Sequence, residues 1–342
     1  MDTPIYLEEL PYSIKRKSIL FILSQGVSDF RMKLAARWLQ RAGYGVELIT
    51  AVPYYKLSQH DLIVCCRPGA EMCVLLDVVK KAGIPFVLDL DDDFASIPKH
   101  NPAYEIVGKG SGHVNYHEDL MKTVTAAEAV VYASGVLQDR YSRDGIIIPN
   151  CWDEEDGQWY KPHIPQDADY VTILFSGTPT HREDFKLVYP ALNRILTERE
   201  DVHIAVNVDW EIYKQFDHIP QNRKMFIPGV PYEEYPACLR WGDIMVVPLQ
   251  DDYFNRAKSD VKVMEAGAAT LPWVASPLPQ YQAWGVGGLF ADSETEWYSA
   301  MSSLIDDCLL RAYHAKQGHE KALTRTSQVT GKSWIELLGG LL

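Results

Sequence analysis

The sequence predicts two doubly wound α/β domains in series, each built on a parallel sheet and facing the other across a cleft. In both halves of the chain, short apolar runs of strand length alternate with segments of helical periodicity. This alternation is typical of parallel sheets, because parallel strands need a crossover connection between them. The 342 residues also exceed one ordinary core and fit two domains of roughly 150 to 170 residues each.

In the first half, apolar runs predict six strands, and the segments between them predict helices. The first helix places Leu34, Trp38 and Leu39 at helical spacing and ends at Gly43, a residue typical of helix ends. The predicted strands are 18–23, 46–50, 61–66, 85–90, 129–133 and 146–148. The predicted helices are 30–42, 70–82 and 115–127.

The alternation stops at Asn150 and starts again near residue 170. Residues 151–169 are polar, acidic and contain proline, which predicts an interdomain linker. We therefore expect one domain over 1–150, a second over 170–325, and a C-terminal helix over 326–342 that packs on the domain junction. The predicted strands of the second half are 171–175, 203–208, 225–227, 244–248 and 273–275.

Composition and charge exclude several classes of protein. The formal net charge of −13 argues against broad nucleic-acid binding, which needs a basic surface to displace counterions. The apolar runs are shorter than the roughly 20 residues of a membrane span, and residues 1–9 are acidic where a signal peptide is basic. The six cysteines show no metal or redox spacing, so we expect reduced, buried thiols in a cytosolic protein, with peripheral contact at the inner face of a membrane left open.

Four segments, in this order, resemble the GT-B nucleotide-sugar glycosyltransferases. They are Ser24-Gln-Gly26 after the first strand, Ile147-Ile-Pro-Asn150 at the domain crossing, the loop Ser176-Gly-Thr-Pro-Thr-His-Arg182, and Phe254-Asn-Arg-Ala-Lys-Ser259. The last is most similar to bacterial surface-polysaccharide transferases of the group 1, retaining type. The resemblance implies two Rossmann-like domains, with the acceptor in the first and a UDP, GDP or dTDP sugar in the second. It implies neither a metal ion nor another cofactor.

The loop after the first strand of the second domain is the first candidate for donor binding. Its members are Ser176, Gly177, Thr178, His181 and Arg182. Gly177 would let the backbone approach a phosphate closely, and the polar side chains could donate hydrogen bonds to developing negative charge. The alternative is an ordinary strand-to-helix turn, because Ser, Thr and Gly are common turn residues.

The second candidate segment for donor binding surrounds Lys258, which precedes a predicted helix capped by Ser259. An ammonium group beside free helix N–H groups suits a diphosphate. The resemblance implies that Glu265 binds the ribose hydroxyls. The other candidates are Arg256 for phosphate, Asp260 for sugar hydroxyls and Val230 for the base. The alternative is a surface helix with a Lys262–Glu265 ion pair.

This segment departs from the family pattern at one important position. Retaining members carry Glu-x7-Glu; the second glutamate matches Glu265, but the first falls on Ala257. The lysine that usually follows the glycine loop is also missing, since its place falls near Arg182 and Glu183. Both departures leave the stereochemistry of the reaction open.

Candidate catalytic and acceptor residues lie in the first domain. Asp89-Leu-Asp-Asp-Asp93 ends a predicted strand, and we expect Asp91 or Asp92 to act as general base and Asp93 to bind the acceptor. A metal site and turn capping are the alternatives. His113 and His117, one helical turn apart, are either catalytic or packed. Gly26 and Arg31 are further candidates for acceptor binding.

Together these patterns predict a glycosyltransferase that moves a hexose or deoxyhexose from a nucleoside diphosphate sugar to a hydroxyl of a glycan or lipid-linked glycan. A nucleotide-sugar epimerase of the same fold and a catalytically degenerate GT-B scaffold subunit remain alternatives. The base, the sugar, the acceptor and the oligomeric state are left open.

Overall fold

A computed structural model describes residues 16–23, 29–50, 54–66, 70–107, 116–141, 144–160 and 170–342. Gly26 and His113 lie outside these residues. Within the described residues, no helix combines the length and the hydropathy that crossing a bilayer requires.

The first lobe is a six-stranded parallel sheet with the strand order β2-β1-β3-β4-β5-β6. Its strands are β1 Ser18–Ile22, β2 Gly45–Ile49, β3 Leu62–Cys66, β4 Phe86–Leu90, β5 Ala129–Tyr132 and β6 Ile146–Ile147. Its helices are α1 Leu34–Arg41, α2 Tyr54–Leu57, α3 Ala70–Lys81, α4 Tyr104–Val107, α5 Tyr116–Ala126 and α6 Gly135–Tyr141. A π-helical turn, Asp29–Lys33, leads into α1.

The second lobe is also a six-stranded parallel sheet, with the order β12-β11-β10-β7-β8-β9. Its strands are β7 Val171–Gly177, β8 Val202–Val208, β9 Lys224–Ile227, β10 Ile244–Val247, β11 Trp273–Ala275 and β12 Gly288–Phe290. Its helices are α7 Arg182–Phe185, α8 Tyr189–Glu198, α9 Trp210–Lys214, α10 Tyr235–Leu239, α11 Val261–Ala268, α12 Pro279–Trp284, α13 Glu294–Asp306 and α14 Cys308–Ala322. Helix α15, Ser327–Leu341, ends the chain.

The strand order fixes where a ligand crevice can form in the second lobe. From β7 the chain builds outward through β8 and β9, then returns to the other side of β7 and builds through β10, β11 and β12. This is the Rossmann order, and its direction reverses between β7 and β10. Ligands of open α/β sheets bind beside the carboxyl ends of the strands at such a reversal. The loops after β7 and β10 therefore border the expected crevice.

The central strands are buried on both faces, as parallel sheets covered by helices on two sides require. All residues of β3, β4 and β7 are buried, which explains why these strands are visible in the sequence as continuous apolar runs. Strand β12 was not predicted, because Gly288 and Leu289 are only partly buried, Phe290 is exposed, and two glycines, Gly285 and Gly287, precede it.

Residues 151–160 of the predicted linker are ordered and built into both lobes. Trp152 and Trp159 are buried in the core of the second lobe. Asp153 and Glu155 form ion pairs with Arg37 and Arg41 of α1. The linker therefore fixes the two lobes against each other along at least half of its length.

Helix α15 follows the second lobe in sequence but packs on the first. Trp334 and Leu338 belong to the core cluster of the first lobe, and the Trp334 ring lies 6.5 Å from that of Phe21. A Cβ atom at Gly331 would lie 2.5 Å from the Trp38 ring, so only glycine allows α15 to approach α1 this closely.

Two local expectations from the sequence are wrong. Helix α11 begins at Val261 with Asp260 at the N-cap position and no side-chain cap, so Ser259 does not cap it. Cys308 is exposed, whereas Cys65, Cys66, Cys151 and Cys238 are buried thiols as expected. Cys308 is the first residue of α14, where a helix begins at the surface.

Candidate functional site

A cavity of about 120 Å³ lies between the lobes, at the carboxyl ends of β4 and β10. Asp91, Asp92 and Asn150 line it from the first lobe. The second lobe contributes His181, Leu249, Lys258, Ser259, Val261, Lys262 and Tyr281. A smaller cavity lies next to it at the reversal between β7 and β10 and shares His181, Lys262 and Tyr281. The 120 Å³ cavity is smaller than the roughly 300–1,000 Å³ of a typical ligand pocket, so it could enclose only part of a ligand of that size.

Lys258 gives this cavity a cation that no carboxylate neutralises in the described part of the chain. The Lys258 Nζ lies 4.9 Å from the centre of the Phe254 ring, and Lys258 forms no ion pair with any of the described residues. The first turn of α11 follows immediately and has no side-chain cap. Free helix N–H groups and an unpaired ammonium favour an anion at the same point.

Lys262 supplies a second cation, held by a buried network beneath the cavity. Its Nζ donates 3.0 Å hydrogen bonds to Glu265 Oε2 and to the Tyr235 hydroxyl. The Tyr235 hydroxyl in turn donates to Glu265 Oε2 at 3.0 Å. Burial favours the neutral amine, but the facing Glu265 carboxylate and the Tyr235 hydroxyl outweigh it and raise the pKa of Lys262. Lys262 is therefore charged and fixed in position.

Glu265 is 3% exposed and belongs to this same network. Its carboxylate positions Lys262 rather than standing open in the cavity, so its contact with a ribose stays a prediction. Burial raises the pKa of Tyr235 to about 12, which keeps its hydroxyl protonated as a donor.

His181 lies at the boundary of the two cavities, 21% exposed. Its Nδ1 is 2.9 Å from Asp184 Oδ2. The Asp184 carboxylate is itself fixed, because its Oδ1 accepts hydrogen bonds from the Gln250 backbone N–H at 2.8 Å and from Asn255 Nδ2 at 3.2 Å. Asp184 thereby links the segment after β7, which carries His181, to the loop after β10, which carries Gln250 and Asn255.

Gly177 is the last residue of β7, and the loop that follows it contributes His181 to the cavity wall. A Cβ atom at Gly177 would meet the Phe175 ring at 2.7 Å and His181 Cβ at 3.3 Å, so glycine keeps His181 in place. Thr178 is exposed, and its Oγ1 lies 2.7 Å from that of Thr180. Ser176 lines the smaller cavity, but its buried hydroxyl donates to Asn207 Oδ1 at 2.9 Å and contacts the Tyr235 hydroxyl, so its contact with a donor stays a prediction.

Three other predicted donor-site residues have protein partners. Arg182 pairs with the buried Asp209, and Arg256 pairs with Asp251. Asp260 pairs with Arg325 at 2.5 Å, which neutralises the negative charge that would otherwise stand beside the start of α11. A direct contact of these three side chains with a donor stays a prediction. Val230 lies partly buried against the second-lobe core, so a backbone contact with the base stays a prediction.

Two predicted acceptor residues, Arg31 and Asp93, are buried and held by partners within the first lobe, so their contact with an acceptor stays a prediction. Arg31 is enclosed in the first lobe, where it binds both carboxylate oxygens of Asp89 and the Ile148 carbonyl oxygen. Asp93 accepts hydrogen bonds from Arg140 at 2.7 Å and from Ser96 at 2.7 Å. Both ends of the acidic run are therefore paired with arginine: Asp89 with Arg31, and Asp93 with Arg140.

The middle of the acidic run does reach the cavity. Asp91 is buried and Asp92 half-buried, and both line the wall opposite Lys258 and His181. The general-base prediction for one of them is thus compatible with their position. His117 lies at the second position of α5 and is not brought into the lining of either cavity.

Sequence reasoning missed Asn150 as a functional residue, although its place at the domain crossing was noted. Its Oδ1 accepts a hydrogen bond from Arg31 at 3.0 Å, and its Nδ2 donates to Ser259 Oγ at 2.8 Å. Asn150 therefore connects the buried ion pair of the first lobe to the loop that carries Lys258. Lys262 and Tyr281 were missed as cavity residues because helical spacing alone does not tell which helix face borders a cleft.

Ala257, the position of the missing glutamate, is fully buried. It belongs to the apolar core cluster of the first lobe, and its carbonyl accepts a 2.7 Å hydrogen bond from Ser134. Phe254 enters the same cluster. This loop of the second lobe is therefore inserted into the first, and the side-chain position of residue 257 lies within an apolar cluster.

A larger cavity, about 560 Å³, lies at the opposite edge of the second sheet. It is lined by residues that precede β10 and β11 and by α14, including Asp243, Pro272 and Arg311. Arg311 Nη1 is engaged by the carbonyl oxygens of Leu304 and Ile305. We place the functional site at the interlobe cavity instead, because the strand reversal, two lysines and an uncapped helix start coincide there.

Comparison with known families supports this placement. Residues 170–307 match the model of the family described as glycosyl transferases group 1. The second lobe is thus similar to a glycosyltransferase group 1 domain. All of the second-lobe cavity residues fall inside the matched range of this domain. A comparison with curated protein sequences finds no match.

Solved structures show that the whole chain has the GT-B fold. The Anabaena protein HepE, solved in complex with UDP and glucose, is 16% identical with a TM-score of 0.69, over 95% of this chain and 100% of its own. A trehalose 6-phosphate synthase from Burkholderia multivorans is 11% identical with a TM-score of 0.61, over 84% and 73%. A putative UDP-N-acetylglucosamine 2-epimerase from Listeria monocytogenes is 10% identical with a TM-score of 0.61, over 94% and 96%.

Proposed function

We propose that the protein is a glycosyltransferase that moves a hexose or deoxyhexose from a nucleoside diphosphate sugar to a hydroxyl of a glycan or lipid-linked glycan. The observation that carries this proposal is the anion site formed by Lys258, Lys262 and the uncapped start of α11. It lies at the strand reversal of a lobe similar to a glycosyltransferase group 1 domain. The likeness to HepE, a protein solved with UDP-glucose, favours a uridine donor.

The chemistry requires stabilisation of a leaving diphosphate. When the bond between the sugar C1 and the phosphate oxygen breaks, its electron pair goes to that oxygen, and negative charge grows on the diphosphate. Fixed cations and backbone N–H groups stabilise this charge without reorganising during the step. Lys258 and Lys262 occupy that role in the proposed mechanism, with no metal ion.

The acceptor approaches from the first lobe. Its hydroxyl oxygen forms the new bond to C1 and gives its proton to a carboxylate, for which Asp91 and Asp92 are the candidates at the facing wall. Because the cavity is enclosed by both lobes, a bound donor would also exclude water and limit its own hydrolysis.

Thermal-shift measurements with UDP, GDP, dTDP and their sugars test the donor site. A nucleotide present at 100 times its dissociation constant stabilises the folded state by about 2.7 kcal/mol. We expect a raised melting temperature with at least one of these nucleotides and a largely abolished shift for Lys258→Ala. Lys316→Ala, at an exposed lysine of α14, is the matched control and keeps the shift. Lys262→Ala is less informative, because it leaves the Glu265 carboxylate buried without its cation.

Product analysis then separates the proposed activity from its alternatives. A transferase makes glycosylated product only with an acceptor and hydrolyses the donor slowly without one. An epimerase would convert the donor sugar in the absence of any acceptor. Donor binding with no turnover under either condition would indicate a scaffold subunit, and no nucleotide binding at all would refute the donor site.

A further inference from the structure

We propose that binding of a nucleoside diphosphate sugar is coupled to the uptake of one proton by His181. The inference rests on the proposed function and adds a property to the same site: the affinity for donor depends on pH. His181 would then be a titratable group beside the positive charges of Lys258 and Lys262.

The geometry leaves a single nitrogen of His181 for a ligand. Asp184 Oδ2 lies 2.9 Å from Nδ1, and Asp184 cannot turn away because Gln250 and Asn255 bind its other oxygen. The carboxylate accepts the Nδ1–H hydrogen bond, so Nε2 is the nitrogen that remains. Within the described residues, Nε2 has no hydrogen-bond partner. His181 lines both cavities, beside the two lysines.

The charges around the empty site keep the ring neutral. Burial lowers the pKa of His181, and the Lys258 and Lys262 ammonium groups act in the same direction, while Asp184 opposes them. Protonating Nε2 would place a third cation in the pocket. At neutral pH the empty site therefore carries two positive charges on the lysines and a neutral imidazole.

A bound diphosphate reverses this balance. Two phosphate charges beside the lysines favour the protonated ring, which can then donate a hydrogen bond from Nε2 to a phosphate oxygen. The pKa of His181 is then higher in the complex than in the free protein. Between these two pKa values binding takes up a proton, so affinity increases as the pH falls through that window. Below or above both values, binding is independent of this group.

Asp91 and Asp92, on the facing wall, are the carboxylates that line the larger of these two cavities. The experiment must therefore assign the proton to one residue. Isothermal titration calorimetry of the whole protein in buffers of different ionisation enthalpy measures the number of protons exchanged. UDP-glucose, GDP-mannose and dTDP-glucose are the probes, because their diesterified phosphates do not titrate near neutral pH.

We expect the wild type to take up close to one proton with the probe that binds, and His181→Gln to take up almost none. His218→Gln, at an exposed histidine of the same lobe, is the matched control and keeps the uptake. Asp184→Asn keeps the ring but removes the carboxylate that supports its positive charge, so we expect a reduced uptake. Melting curves verify that each variant is folded.

The wild type alone gives a second measurement, which holds even when His181→Gln does not fold. The dissociation constant of the same probe should fall as the pH is lowered from alkaline to slightly acidic values, by up to tenfold per pH unit. A pH-independent affinity without proton uptake would overturn this inference but leave the proposed function intact. Undiminished uptake by a folded His181→Gln would assign the proton to a carboxylate and overturn it too. Binding of none of the three probes would overturn both proposals.

Discussion

Replacing Arg31 by methionine tests whether this residue binds acceptor or holds the first lobe together. The Arg31 side chain is 1% exposed and that of Asp89 is fully buried. Arg31 Nε lies 2.9 and 2.7 Å from the two Asp89 oxygens, Nη2 lies 2.5 Å from Asp89 Oδ1, and Nη1 donates to the Ile148 carbonyl at 2.7 Å. A side chain enclosed in this way is not accessible to a substrate.

The expected magnitude follows from this enclosure. Removing one partner of a buried ion pair costs about 3–5 kcal/mol, because the other charge stays buried without compensation. For a domain of about 150–250 residues, each kcal/mol lowers the melting temperature by roughly 2–4 °C. Arg31→Met should therefore lower the melting temperature of the first lobe by roughly 6–20 °C. Burial already raises the pKa of Asp89 against the effect of Arg31, and without Arg31 that pKa rises further. Since protonation relieves the buried charge, the loss of stability should be smaller at acidic pH.

Thermal and urea denaturation measure this loss, and a double variant controls for its cause. Arg31→Met with Asp89→Leu removes both charges, and we expect it to recover most of the stability, since apolar replacements of buried pairs are often neutral or stabilising. The reasoning is refuted when Arg31→Met melts like the wild type while its KM for acceptor increases. That result would restore Arg31 as an acceptor-binding residue.

Two further predictions concern the loop that precedes α11 and the carboxyl end of that helix. Ala257→Glu, which restores the family's glutamate, should lower the free energy of unfolding by at least about 3 kcal/mol, because it overpacks the core and buries an unpaired carboxylate. Arg256→Gln, at the exposed neighbouring residue, is the control and should change the free energy of unfolding far less. A stable and more active Ala257→Glu would contradict the burial argument. Thr270 follows the end of α11 with a left-handed φ of 58°, and the Leu271 N–H donates a hydrogen bond to the Ala266 carbonyl. Because glycine adopts this φ without strain, Thr270→Gly should raise the free energy of unfolding, measured in urea, by about 1 kcal/mol. An equal gain from Thr270→Ala would show that backbone strain is not the cause.

The fold was predictable because its central strands are short apolar runs with long helical segments between them. The segment Leu62–Cys66 is continuous, apolar and buried on both faces, so it could not be misread as a loop. The three-residue strand Gly288–Phe290 is too short and too exposed to give such a signal. Parallel order also brought the loops of Gly177 and Lys258 to the same edge of one sheet, which is why the location of the candidate site could be inferred.

The partners of charged side chains were not predictable in the same way. Arg31 pairs with Asp89 across 58 residues of sequence, and Asp260 with Arg325 across 65. Nothing in the spacing of a motif indicates that a remote residue will neutralise it. From the sequence alone, Arg31 and Asp260 therefore appear free to bind a ligand, whereas in the folded protein each is paired with another side chain.

Helix α15 has a consequence for how such a molecule can be divided. The first lobe takes Trp334 and Leu338 of its interior from the far end of the chain, and Glu154 accepts hydrogen bonds from the Ser327 and Gln328 N–H groups at the start of that helix. A cut between residues 160 and 170 would thus yield an amino-terminal fragment with an open apolar groove. A folded hybrid that exchanges first lobes between two proteins of this architecture must carry both the first lobe and α15 from the same parent.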